Sequence, residues 1–112
     1  MSFTLIYDHI QDRIFQYLQE SDVDKSVEHV TEQVVLLGHT HIQFKKQVGG
    51  NLVVNPGSVG LARDGAKACY AVLENREITL HRIPYKVEET IKGLWDSPIL
   101  RASKEGLTRV LI

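Results

Sequence analysis

Cysteine is almost absent from this chain of 112 residues, in which Cys69 is the only one. A single cysteine cannot form an internal disulfide bond or a metal site built from several thiolates, so we expect the fold to use neither. The same scarcity favours a reducing compartment, and we predict a cytoplasmic protein. Cys69 lies in a β-prone run, where its simplest role is that of a small buried apolar side chain.

An excess of charge is also missing, because 13 Lys and Arg oppose 14 Asp and Glu and leave a net charge of −1. Binding to nucleic acid or to an anionic membrane needs clustered basic residues, so we expect neither partner. No apolar run approaches the ~18 residues that a membrane-spanning helix requires. The length predicts one domain with one modest core, extending over residues 1–112.

Short β-prone runs alternate with turn signals along most of the chain. Residues 2–7 predict an opening strand, and apolar residues at helical spacing between residues 12 and 30 predict two short helices. The continuous apolar run 34–37 is typical of a strand buried on both faces. Two hairpins follow, one with its turn at Gly49-Gly50-Asn51 and one with its turn at Glu74-Asn75-Arg76.

The segment Asn55-Pro56-Gly57-Ser58, between the two hairpins, predicts a type II turn, because Pro56 presets φ and Gly57 accepts a left-handed conformation. After Pro84, the spacing of Val87, Ile91 and Leu94 or Trp95 predicts a helix. Ser97-Pro98 predicts the start of a last amphipathic segment that carries Ile99, Leu100 and Leu107. The alternation of apolar residues in the second hairpin leaves the face on which Arg82 lies undecided.

His39-Thr40-His41 is the clearest candidate for chemistry, since neutral imidazole is the commonest metal ligand and two rings one residue apart can approach a common site. A pair of ordinary surface histidines is the alternative. The position of the pair directly after the apolar run and Gly38 places it at the carboxyl end of a sheet strand, where α/β proteins bind their ligands.

Other polar residues near these motifs have simpler explanations. Asp8, Asp12 and Asp64 occur in turn-like contexts, where a solvated capping role is expected rather than metal binding. Arg63 either belongs to a turn with Asp64 and Gly65 or contacts a phosphate from its position beside the glycine-rich loop.

Several segments in order, VVLLGHTHIQF, the Gly-Gly hairpin, LVVNPGSVGLARDG and ACYAVLE, resemble the carboxyl-terminal half of the calcineurin-like metallophosphoesterases. The similarity is to the small bacterial and archaeal phosphodiesterases and extends from about Phe3 to Trp95. It implies an α/β fold, a partial sandwich of two sheets containing mostly the second sheet and flanking helices. It also implies that His39 binds one divalent ion and His41 another, with Mn, Ni, Fe or Zn as the metal, and that the two ions support hydrolysis of a phosphomonoester or phosphodiester.

The family's other ligand motifs, Asp-x-His, Gly-Asp and Gly-Asn-x-Asp or Gly-Asn-His, do not occur in these 112 residues. Tyr7 stands where the family has a further histidine, and His9, two residues later, is a weak substitute. We therefore expect the isolated chain to be inactive, as the carboxyl-terminal portion of a phosphoesterase domain whose missing ligands a second chain would supply. The alternative is a non-catalytic scaffold or protein-binding module with the same fold.

The same comparison predicts association. Without the first half of a sandwich, a strand such as 34–37 would lack some of its neighbours, and an unpaired strand or bare sheet face favours pairing with another chain. We expect a homo-oligomer, or a complex with a chain that supplies the missing half.

Overall fold

A computed structural model describes residues 1–6 and 30–112 of the protein. The two short helices that we predict between residues 12 and 30 lie almost entirely outside the described residues. Tyr7, Asp8, His9 and Asp12 lie outside them as well.

The larger sheet has four strands in the order β1-β2-β4-β3. Its strands are β1 (Phe3–Ile6), β2 (Val34–Leu37), β3 (Phe44–Val48) and β4 (Asn51–Asn55). Strands β1, β2 and β4 are parallel to one another, and β3 pairs antiparallel with β4. Because parallel strands end at the same edge of a sheet, the residues after β1, β2 and β4 share one edge.

Strand β2 lies inside this sheet, as its unbroken apolar sequence predicts. Val34, Val35 and Leu37 are at most 2% exposed. The expectation that this strand would lack neighbours is wrong, because β2 pairs with β1 on one side and with β4 on the other. The edge strands of the described sheet are instead β1, which pairs with β2 alone, and β3, which pairs with β4 alone.

The smaller sheet is a hairpin of β5 (Ala68–Glu74) and β6 (Glu77–Ile83), joined by the tight turn at Asn75 and Arg76. Both turn residues have positive φ, 51° and 63°, as expected for a primed hairpin turn. The first hairpin is also present, with its turn at Gly49 and Gly50.

The two sheets stack through a shared apolar layer. Ile78 of β6 packs with Val34 and Val54 of the larger sheet, and four partly buried side chains surround them: Leu36, Leu52, Ala71 and Leu80. A second cluster covers the opposite face of the larger sheet and contains Val35, Leu37, Phe44 and Val53. The predicted fold class, a two-sheet α/β arrangement, is confirmed.

Two helices end the chain, α1 (Val87–Asp96) and α2 (Arg101–Leu111). They contact each other where Trp95 Nε1 donates to Thr108 Oγ1 at 2.9 Å and Lys104 Nζ donates to the carbonyl oxygen of Trp95 at 2.8 Å. Within the described part of the chain, no helix has the length and apolar character needed to cross a bilayer.

The predicted start of the last helix is wrong. Helix α2 begins at Arg101 and not at Ser97-Pro98, so Ile99 and Leu100 precede it. The residue before a proline avoids the α region, and Ser97 is accordingly extended, with ψ at 159°. Leu100 is extended too, with ψ at 141°, so the helix cannot start before the next residue.

Candidate functional site

The histidine loop, residues 38–41, follows β2 at the edge where the parallel strands end. His39 and His41 both adopt the left-handed region, with φ of 69° and 60°. This conformation costs a non-glycine residue roughly 1–2 kcal/mol, so the surrounding structure must hold it in place. Both histidines are half-buried rather than solvated at the tip of a loop.

The ring of His41 is oriented by a main-chain contact. Its Nδ1 lies 2.9 Å from the carbonyl oxygen of Leu61. A carbonyl only accepts hydrogen bonds, so in the neutral ring this contact places the proton on Nδ1 and leaves the lone pair on Nε2. A metal-binding histidine usually donates its other ring nitrogen to a carbonyl or a carboxylate in this way. The contact therefore prepares Nε2 of His41 for a metal ion.

The segment that supplies this carbonyl is itself fixed. The Leu61 amide donates to Ser58 Oγ at 3.0 Å, and the Arg63 amide donates to the carbonyl oxygen of His41 at 3.1 Å. The side chain of Arg63 is exposed, and its contact with a phosphate stays a prediction.

Two buried polar side chains join the histidine loop to the end of β4: Thr40 belongs to the loop and Asn55 to the strand. Thr40 is 4% exposed and Asn55, the last residue of β4, is fully buried. Asn55 Nδ2 donates to Thr40 Oγ1 at 3.1 Å and to the carbonyl oxygen of Gly38 at 3.3 Å. The sequence analysis did not identify either residue as part of the site.

A second polar cluster joins the loop after the histidines to the smaller sheet. Gln43, 8% exposed, accepts at Oε1 a hydrogen bond from Arg82 Nε at 2.8 Å. Its Nε2 contacts the carbonyl oxygens of His81 at 3.0 Å and of Pro56 and Tyr70 at 3.2 Å. Arg82 therefore faces the larger sheet, which settles the face that the sequence left undecided.

Asp64 belongs to this cluster and is not the solvated cap that we predicted. Its Oδ2 accepts from Arg82 at 2.8 Å and from the Gln43 amide at 3.0 Å, and its side chain is only 20% exposed. Its Oδ1 is buried without a hydrogen-bond partner. The turn packs against Gln43 because an ion pair with Arg82 offsets the cost of burying the carboxylate.

The donors in the described residues fit part of a metal centre and do not complete one. Two imidazoles suit Mn, Fe, Ni or Zn, but a hydrolytic centre with two ions also needs carboxylates and several ligands for each ion. Residues 1–6 and 30–112 contain no group of three His, Cys, Asp or Glu side chains placed to hold a metal ion.

Comparison with known proteins identifies the family. The family profile described as the calcineurin-like phosphoesterase superfamily domain matches residues 3–77, which include both histidines. The chain belongs to the calcineurin-like phosphoesterase superfamily. Members of this family generally use divalent metal ions, which agrees with the two imidazoles at the sheet edge.

Solved structures share the fold of this chain. A metallophosphoesterase from Sphaerobacter thermophilus superimposes with a TM-score of 0.80 at 20% identity, over 99% of this chain and 56% of that one. A hypothetical protein from Pyrococcus horikoshii has a TM-score of 0.69 at 18% identity, over 97% of this chain and 45% of that one.

Among curated proteins, an uncharacterised protein of Methanocaldococcus jannaschii is 28% identical over 110 residues, which covers 84% of this chain and 44% of the relative. The phosphoesterase chain thus spans about half the length of the proteins that it matches.

The segment between the two hairpins packs against the polar cluster. Gly57 has a φ of +81°, the left-handed conformation that the sequence predicts for it, although residues 56–58 do not form a hydrogen-bonded turn. A Cβ at this position would lie 2.8 Å from Cys69 Cβ and 3.1 Å from Gln43 Cβ. Cys69 is 1% exposed, which confirms its role as a small buried side chain. The glycine therefore allows close approach to Cys69 and Gln43, whereas a Cβ at Gly60 would meet nothing within 4 Å.

Proposed function

We propose that this chain contributes His39 and His41 to a divalent-metal centre that hydrolyses phosphoesters. The observation that carries the proposal is the geometry of the histidine loop. Two left-handed, half-buried histidines follow a core strand at the edge where the parallel strands end, and the Leu61 carbonyl holds Nδ1 of His41. This is the arrangement that a metal-binding imidazole requires.

Each histidine has its own role in the proposed centre. By the family pattern, His39 binds one ion and His41 the other, each through an unprotonated ring nitrogen. Bound divalent ions supply Lewis acidity and an activated water for attack on phosphorus. The chain's own residues hold the two imidazoles in place, and Leu61 keeps the proton of His41 on Nδ1.

The remaining ligands are proposed to come from another polypeptide. The 112 residues lack Asp-x-His, Gly-Asp and Gly-Asn-x-Asp, so no carboxylate is available from those motifs to bridge two ions. The described residues also place no third His, Cys, Asp or Glu side chain with the two histidines in a group that could hold a metal ion. We infer that the chain is inactive by itself and that a chain carrying those motifs completes the centre.

The experiment measures Mn²⁺-dependent hydrolysis of an aryl phosphodiester by the purified chain, alone and mixed with a polypeptide that carries the missing motifs. We expect turnover only in the mixture, and loss of that turnover when either histidine is replaced, as His39→Ala or His41→Ala. Rapid turnover by the 112 residues alone, or turnover in the mixture that survives both substitutions, would contradict the proposal.

The sequence also supports a second candidate, a non-catalytic scaffold with the phosphoesterase fold, because Tyr7 stands where the family has a histidine and the family's other ligand motifs do not occur in these 112 residues. The double variant with alanine at both histidine positions separates the two functions. A scaffold would keep its protein partner after this change, whereas a metal centre would lose its ions. Pull-down of the partner and metal analysis of the same samples measure the two properties.

A further inference from the structure

Strand β4 has an asparagine at each end, and each asparagine binds the main chain of a neighbouring segment. At the start of the strand, Asn51 Nδ2 donates to the carbonyl oxygens of Val30 at 3.1 Å and Glu32 at 2.6 Å. At the other end, Asn55 binds the histidine loop. The two side chains therefore both donate to main-chain carbonyl oxygens at opposite edges of the sheet, and only Asn55 is next to the histidines.

Asn55 is completely buried and all its hydrogen-bonding groups are used. Its Oδ1 accepts from the Gly57 amide at 3.0 Å, while Nδ2 serves the Gly38 carbonyl and Thr40 Oγ1. A buried amide costs stability that an apolar side chain would not, unless its partners are satisfied. An amide at this position thus ties three segments together: the end of β4, the following turn and the histidine loop.

The contacts of Asn55 fall at informative positions in the loop. One precedes the first histidine, at Gly38, and the other lies between the two histidines, at Thr40. Thr40 Oγ1 also accepts from the Ile42 amide at 3.4 Å, after the second histidine. The hydrogen bonds of Thr40 and Asn55 therefore reach positions before, between and after the two histidines in the sequence.

The strain in the loop indicates what this pair does. Two non-glycine residues with φ of 69° and 60° flank Thr40. Such conformations persist only where neighbouring contacts determine them. The hydroxyl of Thr40 and the amide of Asn55 supply contacts of this kind from a rigid strand end.

We propose that Thr40 and Asn55 are positioning residues that set the relative placement of the two imidazoles without binding metal themselves. The expected effect on metal binding rests on the proposed metal centre, because displaced imidazoles would bind an ion less well. The other part of the inference, that the histidine loop is held in one conformation, can be measured in the metal-free protein.

Four variants of the full chain test the proposal. Thr40→Val removes the hydroxyl at nearly constant volume, and Thr40→Ser retains it. Asn55→Leu removes the amide, and Asn51→Leu makes the same change at the far end of β4 as a matched control. The readouts are the affinity for Zn²⁺ by calorimetry and the ring tautomer of His41 by ¹⁵N NMR of the metal-free protein.

We expect Thr40→Val and Asn55→Leu to weaken Zn²⁺ binding by about tenfold, the lower end of the effect of residues that orient metal ligands. The same two variants should lose the single Nδ1-protonated tautomer of His41. Thr40→Ser and Asn51→Leu should keep that tautomer and a Zn²⁺ affinity within about twofold of the unmodified chain, since one retains the hydroxyl and the other is distant. Should Asn55→Leu fail to fold, the contrast between Thr40→Val and Thr40→Ser decides the question.

Unchanged affinity and an unchanged tautomer in Thr40→Val would overturn the positioning role, as would equal losses in Asn51→Leu. Failure of the metal proposal gives a different result. If the unmodified chain binds no Zn²⁺, the tautomer alone decides: its loss in Thr40→Val supports positioning, and its retention overturns it.

Discussion

Gly57 is a residue for which the sequence predicts the conformation and the structure adds a steric reason. Its φ of +81° disfavours any side chain, and an added Cβ would lie 2.8 Å from Cys69 Cβ. Left-handed strain of roughly 1–2 kcal/mol and overpacking of roughly 1–3 kcal/mol act together here. We expect Gly57→Ala to lower the free energy of unfolding by about 2 kcal/mol or more, measured by urea denaturation.

Gly60→Ala is the control for this substitution, because a Cβ there meets nothing within 4 Å. The free energy of unfolding of Gly60→Ala should stay the same or rise by up to ~1 kcal/mol. Equal destabilisation by both substitutions would show that the contact with Cys69 is not the cause.

Arg82 is the second residue with a specific expectation, because it pairs with both Asp64 and Gln43. Arg82→Leu leaves the largely buried Asp64 carboxylate without its cation, which destabilises the fold. Because Arg82 is itself partly exposed, the decrease in the free energy of unfolding is moderate. We expect a loss of about 2 kcal/mol in the free energy of unfolding.

Arg101→Ala provides the comparison for Arg82, since its ion pair with Glu105 is exposed on α2. Its cost should be within about 0.5 kcal/mol. If urea denaturation gave both arginine variants the same stability, the contacts of Arg82 with Asp64 and Gln43 would contribute no more than an exposed ion pair.

Among the secondary-structure elements, the second hairpin has a turn residue whose backbone conformation is unfavourable for its type. Arg76 has a φ of 63°, a conformation that glycine adopts without strain, and it is exposed. We expect Arg76→Gly to raise the free energy of unfolding by about 0.5–1 kcal/mol. In Glu77→Gly, one residue later and in the strand, the change should be a loss of similar size. Thermal or urea denaturation of the two variants gives opposite signs if the turn geometry is correct.

Elements with a local signal could be predicted from the sequence. Val34–Leu37 is an unbroken apolar run, which predicts a buried strand. Gly49-Gly50 directly marks the turn of the hairpin formed by β3 and β4. Ser97-Pro98 resembles a helix start, but Ser97 and Leu100 are both extended and α2 begins only at Arg101. The local sequence pattern alone does not show whether a helix begins at Ser97-Pro98 or several residues later.

The residues of the candidate site also differ in whether the local sequence predicts them. His39 and His41 were predicted because they follow a strand directly and match a family motif. Gln43 and Asn55 were missed, since their importance comes from partners far along the chain, such as Arg82 and Gly38. The position of Asn55 directly after the apolar run 52–54 is the local sequence signal that could have indicated it.

For the whole molecule, β1 is the feature that bears on association. Leu5 pairs with Leu36 and faces the same side, but it is 79% exposed, and β1 pairs on one side only among the described strands. An exposed apolar edge strand favours pairing with another chain. We expect sedimentation at micromolar concentration to show a species larger than the monomer, and Leu5→Lys to shift it toward the monomer. A monomeric unmodified chain would contradict this expectation.

The central claim, that His39 and His41 are metal ligands, is tested most directly by adding Mn²⁺ to the full chain and following the histidine ring signals by NMR. His81 provides an internal control, because its ring stacks on Tyr70 in the second hairpin, 5.0 Å between centroids. At substoichiometric Mn²⁺, the ring signals of His39 and His41 should broaden much more strongly than those of His81. Equal broadening of all three rings, or none at His39 and His41, would show that these two histidines do not bind the ion.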